Sequence, residues 1–318
     1  MTKLLIAYDG SNCADAALDD LQLAGLPRKD VEALIMSVTE VWVPSPSTFS
    51  SPEEMEQTEV PIEVQKVLAR HARIVDETRA MAERARDRVR ANFPEWKVDV
   101  EVVSGSPAWE IISKADGWHP HLIIVGSQGQ SALGRLVLGS VSQKVLNESR
   151  CSVRVARGRI DVERSAGRVA VAVDGSPGSA LAVQAISARE WPAGSEALAI
   201  MVEDPLVPSS IGRLIPQVSK WIESGNKEDD EWVQRTLKSA VDQLSSAGLK
   251  ATSSVHSGDA KQVLVEESEK WGADSIFLGS TGFSSKFSRF LLGSVSAAVA
   301  ARAHCSVEVV RSRKADGA

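Results

Sequence analysis

The stretch GSQGQSALGRLVLGSVSQKV, from Gly126, has the residue types of a phosphate-binding turn. Glycines at 126, 129 and 139 let backbone N–H groups approach an anion and adopt positive φ. Ser140 stands at a helix start. Unpaired N–H groups and the helix dipole face an anion there, and the hydroxyl adds a donor. The same pattern returns as GSTGFSSKFSRFLLGSVSAAV from Gly279. A second pair accompanies it: MTKLLIAYDGS at the start and RVAVAVDGS from Arg168. Each motif has a plainer reading. The glycine loop can be a tight strand–helix turn with a capping serine. Asp9 and Asp174, each before Gly-Ser, can be turn formers. Duplication copies structural turns as readily as binding sites.

The repeat organises the chain. Asp9 aligns with Asp174, Gly105 with Gly258, Gly139 with Gly293 and Cys151 with Cys305. The offset falls from 165 to 153 on the way, so the first copy carries about 12 extra residues. Val41–Pro61, rich in Pro and Ser, is the expected place for them. The copies are expected to span 1–157 and 167–312, joined by the polar stretch GRIDVERSAG.

Each copy alternates short apolar runs with helical periodicity. In copy one the expected strands are Lys3–Tyr8, Ala33–Val38, Val98–Val103, Leu122–Val125 and Ser152–Ala156. In copy two they are Arg168–Val173, Ala197–Val202, Ala251–His256, Ser275–Leu278 and Ser306–Val310. Between them, Ala14, Ala17, Leu18 and Leu21 recur at helical spacing. Val64, Val67, Leu68, Ala72, Val75, Ala82, Ala85 and Val89 predict one apolar face of a long helix. Trp109–Ala115 and Val141–Leu146 read as shorter helices. Such alternation predicts α/β domains with a parallel sheet and helices on both faces. Ligands of such sheets sit beyond the carboxyl ends of the strands, at the switch in strand order.

Bulk properties narrow the function classes. The 318 residues suit two domains on a prior of roughly 150 residues each. The formal charge is −6, shared between halves that are both mildly acidic. No basic patch points to nucleic acid or a membrane surface. Three cysteines are not a disulfide framework. The opening run reaches Asp9 too soon for a signal peptide, and no stretch is long enough to span a membrane. A cytoplasmic location is the expectation.

G-x2-G-x9-G-[ST] after strand four, with Asp-Gly-Ser closing strand one, resembles the universal stress proteins. LGSVSQKVLNESRCSVRVAR is similar to their C-terminal stretch, and the resemblance covers nearly the whole chain as two tandem domains. It implies two doubly wound domains, each a five-stranded parallel sheet in order 3-2-1-4-5. It also implies ATP, or AMP, with Mg²⁺. Asp9 and Asp174 would then lie near adenine and ribose. Val38 and Val202, just past strand two, would meet adenine through their backbone. Gly126, Ser127, Gly129, Gln130, Gly139, Ser140 and Val141 would hold ribose and phosphates. Their counterparts are Gly279, Ser280, Gly282, Gly293, Ser294 and Val295. Copy two departs from the pattern: ten residues, not nine, separate Gly282 from Gly293, and Phe283 replaces Gln130. His121 also stands where Asp274 keeps an acid. The resemblance further implies pairing of the last strands, Ser152–Ala156 with Ser306–Val310, as an intramolecular pseudo-dimer, with homodimerisation open.

Other candidates point elsewhere. His119-Pro-His121 lacks a third spaced metal ligand. Cys151 and Cys305 read as small buried hydrophobes. Cys13 sits on the first helix, where a helix start can activate a thiol or the residue can simply pack. Arg135 and Arg289 fall inside the loops. The arginines from Arg79 to Arg90 interleave with acids, as on a solvated helix face. The tryptophans are scattered singly.

Three functions remain: an ATP-binding stress protein working through conformation or partners, a slow ATPase or nucleotidyl-transfer enzyme on a related fold, and a scaffold without nucleotide. No G-x4-G-K-[ST] loop is present. The H-x-G-H, Lys-Met-Ser-Lys and S-G-G-x-D-S signatures are absent too. Without a placed base, bound ATP hydrolyses slowly at best. No catalytic residue and no protein metal site is assigned.

Overall fold

The structure is a computed structural model that describes residues 1–40, 62–128, 138–157, 166–203, 216–280 and 292–312. Copy one contributes β1 (Thr2–Ala7), α1 (Asn12–Asp20), β2 (Val31–Thr39), α2 (Ile62–Asn92), β3 (Lys97–Ser104), α3 (Pro107–Trp118), β4 (Leu122–Gly126), α4 (Ser140–Glu148) and β5 (Ser152–Ala156). Copy two contributes β6 (Arg168–Ala172), α5 (Pro177–Ser187), β7 (Glu196–Glu203), α6 (Pro216–Ser246), β8 (Lys250–Ser257), α7 (Ala260–Trp271), β9 (Ser275–Gly279), α8 (Ser294–Arg302) and β10 (Ser306–Val310). The segment 41–61, expected to hold the extra residues, lies outside the described residues.

The strands form one ten-stranded sheet in the order β3-β2-β1-β4-β5-β10-β9-β6-β7-β8. Each half therefore has the order 3-2-1-4-5, parallel throughout. The two last strands meet edge to edge in the one antiparallel pairing of the described ladders, with Val153 opposite Val309, Arg154 opposite Glu308 and Val155 opposite Val307. Pairing covers two edges that would otherwise present open backbone groups.

The two sheet faces differ. On one face Leu5, Ile123, Val153, Val155, Ala170, Ile276, Val307 and Val309 belong to a single apolar cluster spanning both copies. On the other face the core is split. Copy one packs α1 and α2 over Leu4, Ile6, Ile35 and Ile124. Copy two packs α5 and α6 over Val169, Val171 and Phe277. Side-chain alternation explains this: Val153 and Val155 point to the shared face, so Arg154 must point to the divided one.

The apolar face predicted for α2 is buried only in part. Ala82, Ala85 and Val89 are fully packed, but Val67 and Leu68 are 47% and 43% exposed. Thirty-one helical residues span about 46 Å, whereas the nine of β2 span about 30 Å, so the first turns overrun the sheet.

Candidate functional site

The switch in strand order falls between β1 and β4 in copy one and between β6 and β9 in copy two. Just above β1, Asp9 Oδ1 accepts from Ser11 N–H at 3.0 Å, and Gly10 takes φ 75°. Ser11 then caps α1, its hydroxyl accepting from Ala14 N–H at 3.1 Å. Copy two repeats the device: Asp174 Oδ1 accepts from Ser176 N–H at 2.9 Å, and Gly175 has φ 74°. One carboxylate oxygen of each aspartate thus shapes the turn that aims a helix N-terminus at the crevice.

The glycine loop leaves from Ser127 and returns at Gly139. The two ends are tied, Gly139 N–H donating to Ser127 O at 2.8 Å. In copy two Gly293 N–H donates to Ser280 O at 2.7 Å. The extra residue of copy two is therefore confined between identically pinned ends. Gly129, Gln130, Gly282, Phe283, Arg135 and Arg289 lie outside the described residues.

Gly139 and Gly293 are the N-caps of α4 and α8, and no side chain of the described residues caps either helix. Ser140 and Ser294 are thus the first helical residues, not the caps that the plainer reading made them. The first bond of α4 runs from Gln143 N–H to Gly139 O, so the amides of Ser140, Val141 and Ser142 precede it. Val141 and Val295 turn their side chains into the shared core, and bring only backbone to the site.

Ser142 is a residue that the motif reading passed over. Its hydroxyl donates to Gly126 O at 2.6 Å, and Ser296 does the same to Gly279 O at 2.7 Å. The repeated Val-Ser after each Gly-Ser was the available signal. These bonds fix the end of β4 or β9 against the start of the next helix.

Gly126 and Gly279 are where the helix after the first strand comes closest. A Cβ on Gly126 would lie 2.9 Å from the Cys13 carbonyl. Cys13 itself sits in the first turn of α1, and its sulfur accepts from Ser127 Oγ at 3.8 Å. Ser11 Oγ donates to Gln128 O at 3.5 Å. Two helix starts, α1 and α4, therefore converge on one strand end.

Val38 and Val202, the last residues of the expected second strands, lie one residue inside the ends of β2 and β7 rather than past them. Their backbone direction follows from alternation. Met36 O accepts from Tyr8 N–H at 2.9 Å on the β1 side, and Thr39 O accepts from Gly105 N–H at 3.0 Å on the β3 side. Val38 shares the side of Met36, beyond the point where β1 leaves the sheet. Val202 stands likewise to Ile200, whose carbonyl accepts from Val173 N–H.

At the carboxyl ends of β2 and β3 in copy one a chain of polar groups appears. Thr39 Oγ1 and Ser104 Oγ are 2.9 Å apart, and His71 Nε2 is 2.9 Å from Ser104 Oγ. No sequence spacing signalled it, because His71 comes from α2. His119 ends α3 in a left-handed conformation, with φ 54°. The ring of His121 accepts Lys3 N–H at Nδ1, 3.0 Å away. Asp274 Oδ2 accepts Arg168 N–H in the same way at 2.7 Å. The replacement therefore preserves an acceptor for the first strand's backbone. Among the described residues no group of three His, Cys, Asp or Glu is placed for a metal. A cavity of about 360 Å³ opens under α3, between Met36, Glu101, Lys114 and Trp118, and is lined by none of the glycine-loop residues.

Tyr8 reports on the packing beneath the turn. Its hydroxyl donates to Asp15 Oδ1 at 2.8 Å. Burial, then the hydrogen bond and charge of Asp15, push the phenol up to about 12. The chain has a single tyrosine, so its ultraviolet titration reads this site directly. The folded value exceeds the unfolded value of about 10, so the stabilisation is present below pH 10 and is lost as pH rises towards 12. A tyrosinate midpoint near 12 is expected, falling in Asp15→Asn. An ordinary midpoint near 10 in native protein would show the packing to be wrong.

The fold and its site define a class: two doubly wound α/β domains in one chain, each with a tied glycine loop ending in an uncapped helix. The family model for the universal stress proteins matches residues 1–157 and 166–311, and the chain belongs to that family. A universal stress protein of Bacillus subtilis is 33% identical over 162 residues, covering 49% of this chain and 98% of that protein. One from Methanocaldococcus jannaschii is 35% identical over 72 residues, 22% of this chain and 42% of that protein. A solved universal stress protein from Archaeoglobus fulgidus aligns over 99% of this chain and 97% of its own, with a TM-score of 0.57 and 20% identity. That likeness concerns the fold. No described helix is long and apolar enough to cross a membrane.

Proposed function

We propose that copy one binds an adenine nucleotide, ATP with Mg²⁺, and acts in stress response through nucleotide-dependent conformation or partner binding. The observation that carries this is the N-terminus of α4. A glycine caps it, no side chain of the described residues caps it, and the tied loop begins and ends beside it. Such a terminus favours an anion through both donors and dipole. The Val38 backbone, directed past the end of β1, suits an adenine edge. The residues present fit Mg²⁺ held mainly by phosphate oxygens and water, with Asp9 the carboxylate at the crevice. Bound metal would neutralise phosphate charge. The protein's own groups hold the phosphates and orient the base, and none is assigned to hydrolysis. Copy two, with its longer loop and Phe283, is proposed to bind more weakly and chiefly to complete the paired core.

Calorimetric titration of the full chain with ATP and Mg²⁺, and separately with AMP, tests this. A single nucleotide per chain is expected, lost in Gly129→Val and kept in Gly282→Val. Labelling of Cys13 by a thiol reagent supplies an independent readout, since the sulfur lies beside Ser127. Saturating ATP should slow it several-fold, while Cys305 stays unreactive because burial pushes its thiol to about 12. No heat at millimolar nucleotide, with unchanged Cys13 labelling, sinks the proposal and leaves the scaffold reading.

A further inference from the structure

The seam between the copies carries an asymmetry that the repeat itself locates. Residue 154 of β5 corresponds to residue 308 of β10, and these two are opposite each other in the ladder. Val153 faces Val309 and Val155 faces Val307, so a pseudo-two-fold axis passes between Arg154 and Glu308. Two backbone-to-serine bonds across the seam obey that axis. Arg157 N–H donates to Ser306 Oγ at 3.0 Å, and Arg311 N–H to Ser152 Oγ at 3.1 Å. The Arg157 guanidinium reaches Ala303 O across the seam, and that of Arg311 reaches Leu146 O.

Arg154 and Glu308 break it. Arg154 is fully buried and Glu308 is 1% exposed. Arg154 donates through Nε and Nη2 to both oxygens of Asp20, at 2.5 and 2.9 Å, and through Nη1 to Glu308 Oε2 at 3.3 Å. The other Glu308 oxygen accepts from Arg189, which also donates to Ala24 O of copy one at 2.5 Å. Ser306 Oγ donates to Asp20 Oδ1 at 2.7 Å. The four charges cancel, and they fill the divided face between the two separate cores.

Any pairing of two like copies through this strand would bring the axis residue against itself. Copy one would oppose Arg154 to a second Arg154, and copy two would oppose Glu308 to a second Glu308. Asp20 travels with Arg154 and Arg189 with Glu308, so either like pairing stays neutral overall. It nevertheless sets two guanidiniums or two carboxylates face to face, and leaves Arg154 Nη1, or Glu308 Oε2, buried without the partner it has here. Repulsion against the wrong partner is a general route to specificity. We infer that the Arg154–Glu308 pair on the seam axis is a heterotypic key: it admits to the copy-one edge strand a domain with an acid at the axis position, and it rejects a second copy of the same half. The partner that fits is the second repeat, in the same chain.

Charge reversal in the full chain tests the key. Arg154→Glu and Glu308→Arg each place like charges on the axis in every pairing open to that chain. The double variant restores opposite charges on the axis and a neutral cluster, with both acids on copy one facing both bases on copy two. Each single variant should unfold at lower denaturant than wild type, and neither alone should form two-chain species. The double variant should recover part of the lost midpoint. Equimolar refolding of the two single variants, one isotopically labelled, should yield mixed two-chain species, because each supplies the charge that the other lacks. If the single variants do not fold alone, recovery in the double variant or the mixture still decides. Single variants with wild-type stability overturn the inference. So do two-chain species in a single variant as abundant as the mixed ones, and so does a double variant no better than the singles.

Discussion

Arg154→Met lowers the stability of the whole protein by about 3–5 kcal/mol, the usual consequence of removing one partner from a buried ionic group. Arg154 satisfies both oxygens of Asp20, which is 4% exposed, and one oxygen of Glu308. Methionine fits the space but donates nothing, so two buried carboxylates lose their shared cation. Burial by itself would lower the pKa of Arg154, but Asp20 and Glu308 outweigh it and hold the guanidinium above its ordinary range. Arg189 cannot substitute. It is committed to Glu308 and Ala24, and burial sets its own pKa below the ordinary value despite Glu308. Replacing Asp20, Arg154 and Glu308 together by apolar residues should recover most of the loss, since such replacements are often neutral or better. Urea midpoints with constant slope, followed by both fluorescence and circular dichroism, check this. A loss below about 1 kcal/mol would place the cluster among weak surface pairs.

Gly279→Val is the second large effect, and it couples packing to the loop. A Cβ there would fall inside van der Waals contact with the carbonyl carbon of Gly178, in the first turn of α5. The obstacle is backbone on a helix, so no side chain can swing aside. Overpacking of this kind typically costs about 1–3 kcal/mol, and a branched residue at a backbone contact belongs at the upper end. The helix start must shift, and with it the Ser296–Gly279 bond that holds α8 against the strand. Gly279→Ala should show a smaller loss in the same direction. The matching change in copy one, Gly126→Val, meets Cys13 backbone at 2.9 Å and should also abolish the proposed nucleotide binding. Retained stability in Gly279→Val would mean that α5 and β9 are further apart than the structure has them.

Much of the fold was readable residue by residue. The alternation from Lys3 to Ala156 marks strands and helices because apolar periodicity of two or of 3.6 is a local property. The glycine motifs stand out for the same reason: positive φ and close approach restrict the residue type at single positions. The site was less readable. Gly139 rather than Ser140 caps α4, and Val38 lies inside β2. Both shifts are of about one residue, within the usual blur of element ends. Ser142, His71 and Thr39 were passed over, and for His71 no local signal existed, since its partner Ser104 lies 33 residues on.

The duplication, the α/β class and the two glycine loops can be read from the chain before it folds, because each is written in local pattern and repeats at a nearly fixed offset. The resemblance already implied the pairing of the last strands; the core shared on one face and divided on the other is visible only in the tertiary structure. Tertiary structure also decided what Arg154 is for. In SVRVA and SVEVV an opposite charge sits at the same place of two apolar strands, and the offset of 154 exposes it. Its meaning requires the partners: Asp20 is 134 residues away from Arg154, and Glu308 is 154. A charge in a sequence does not name its counter-ion. Only the antiparallel seam, by placing the repeat's axis between these two residues, turns a difference between copies into a pair.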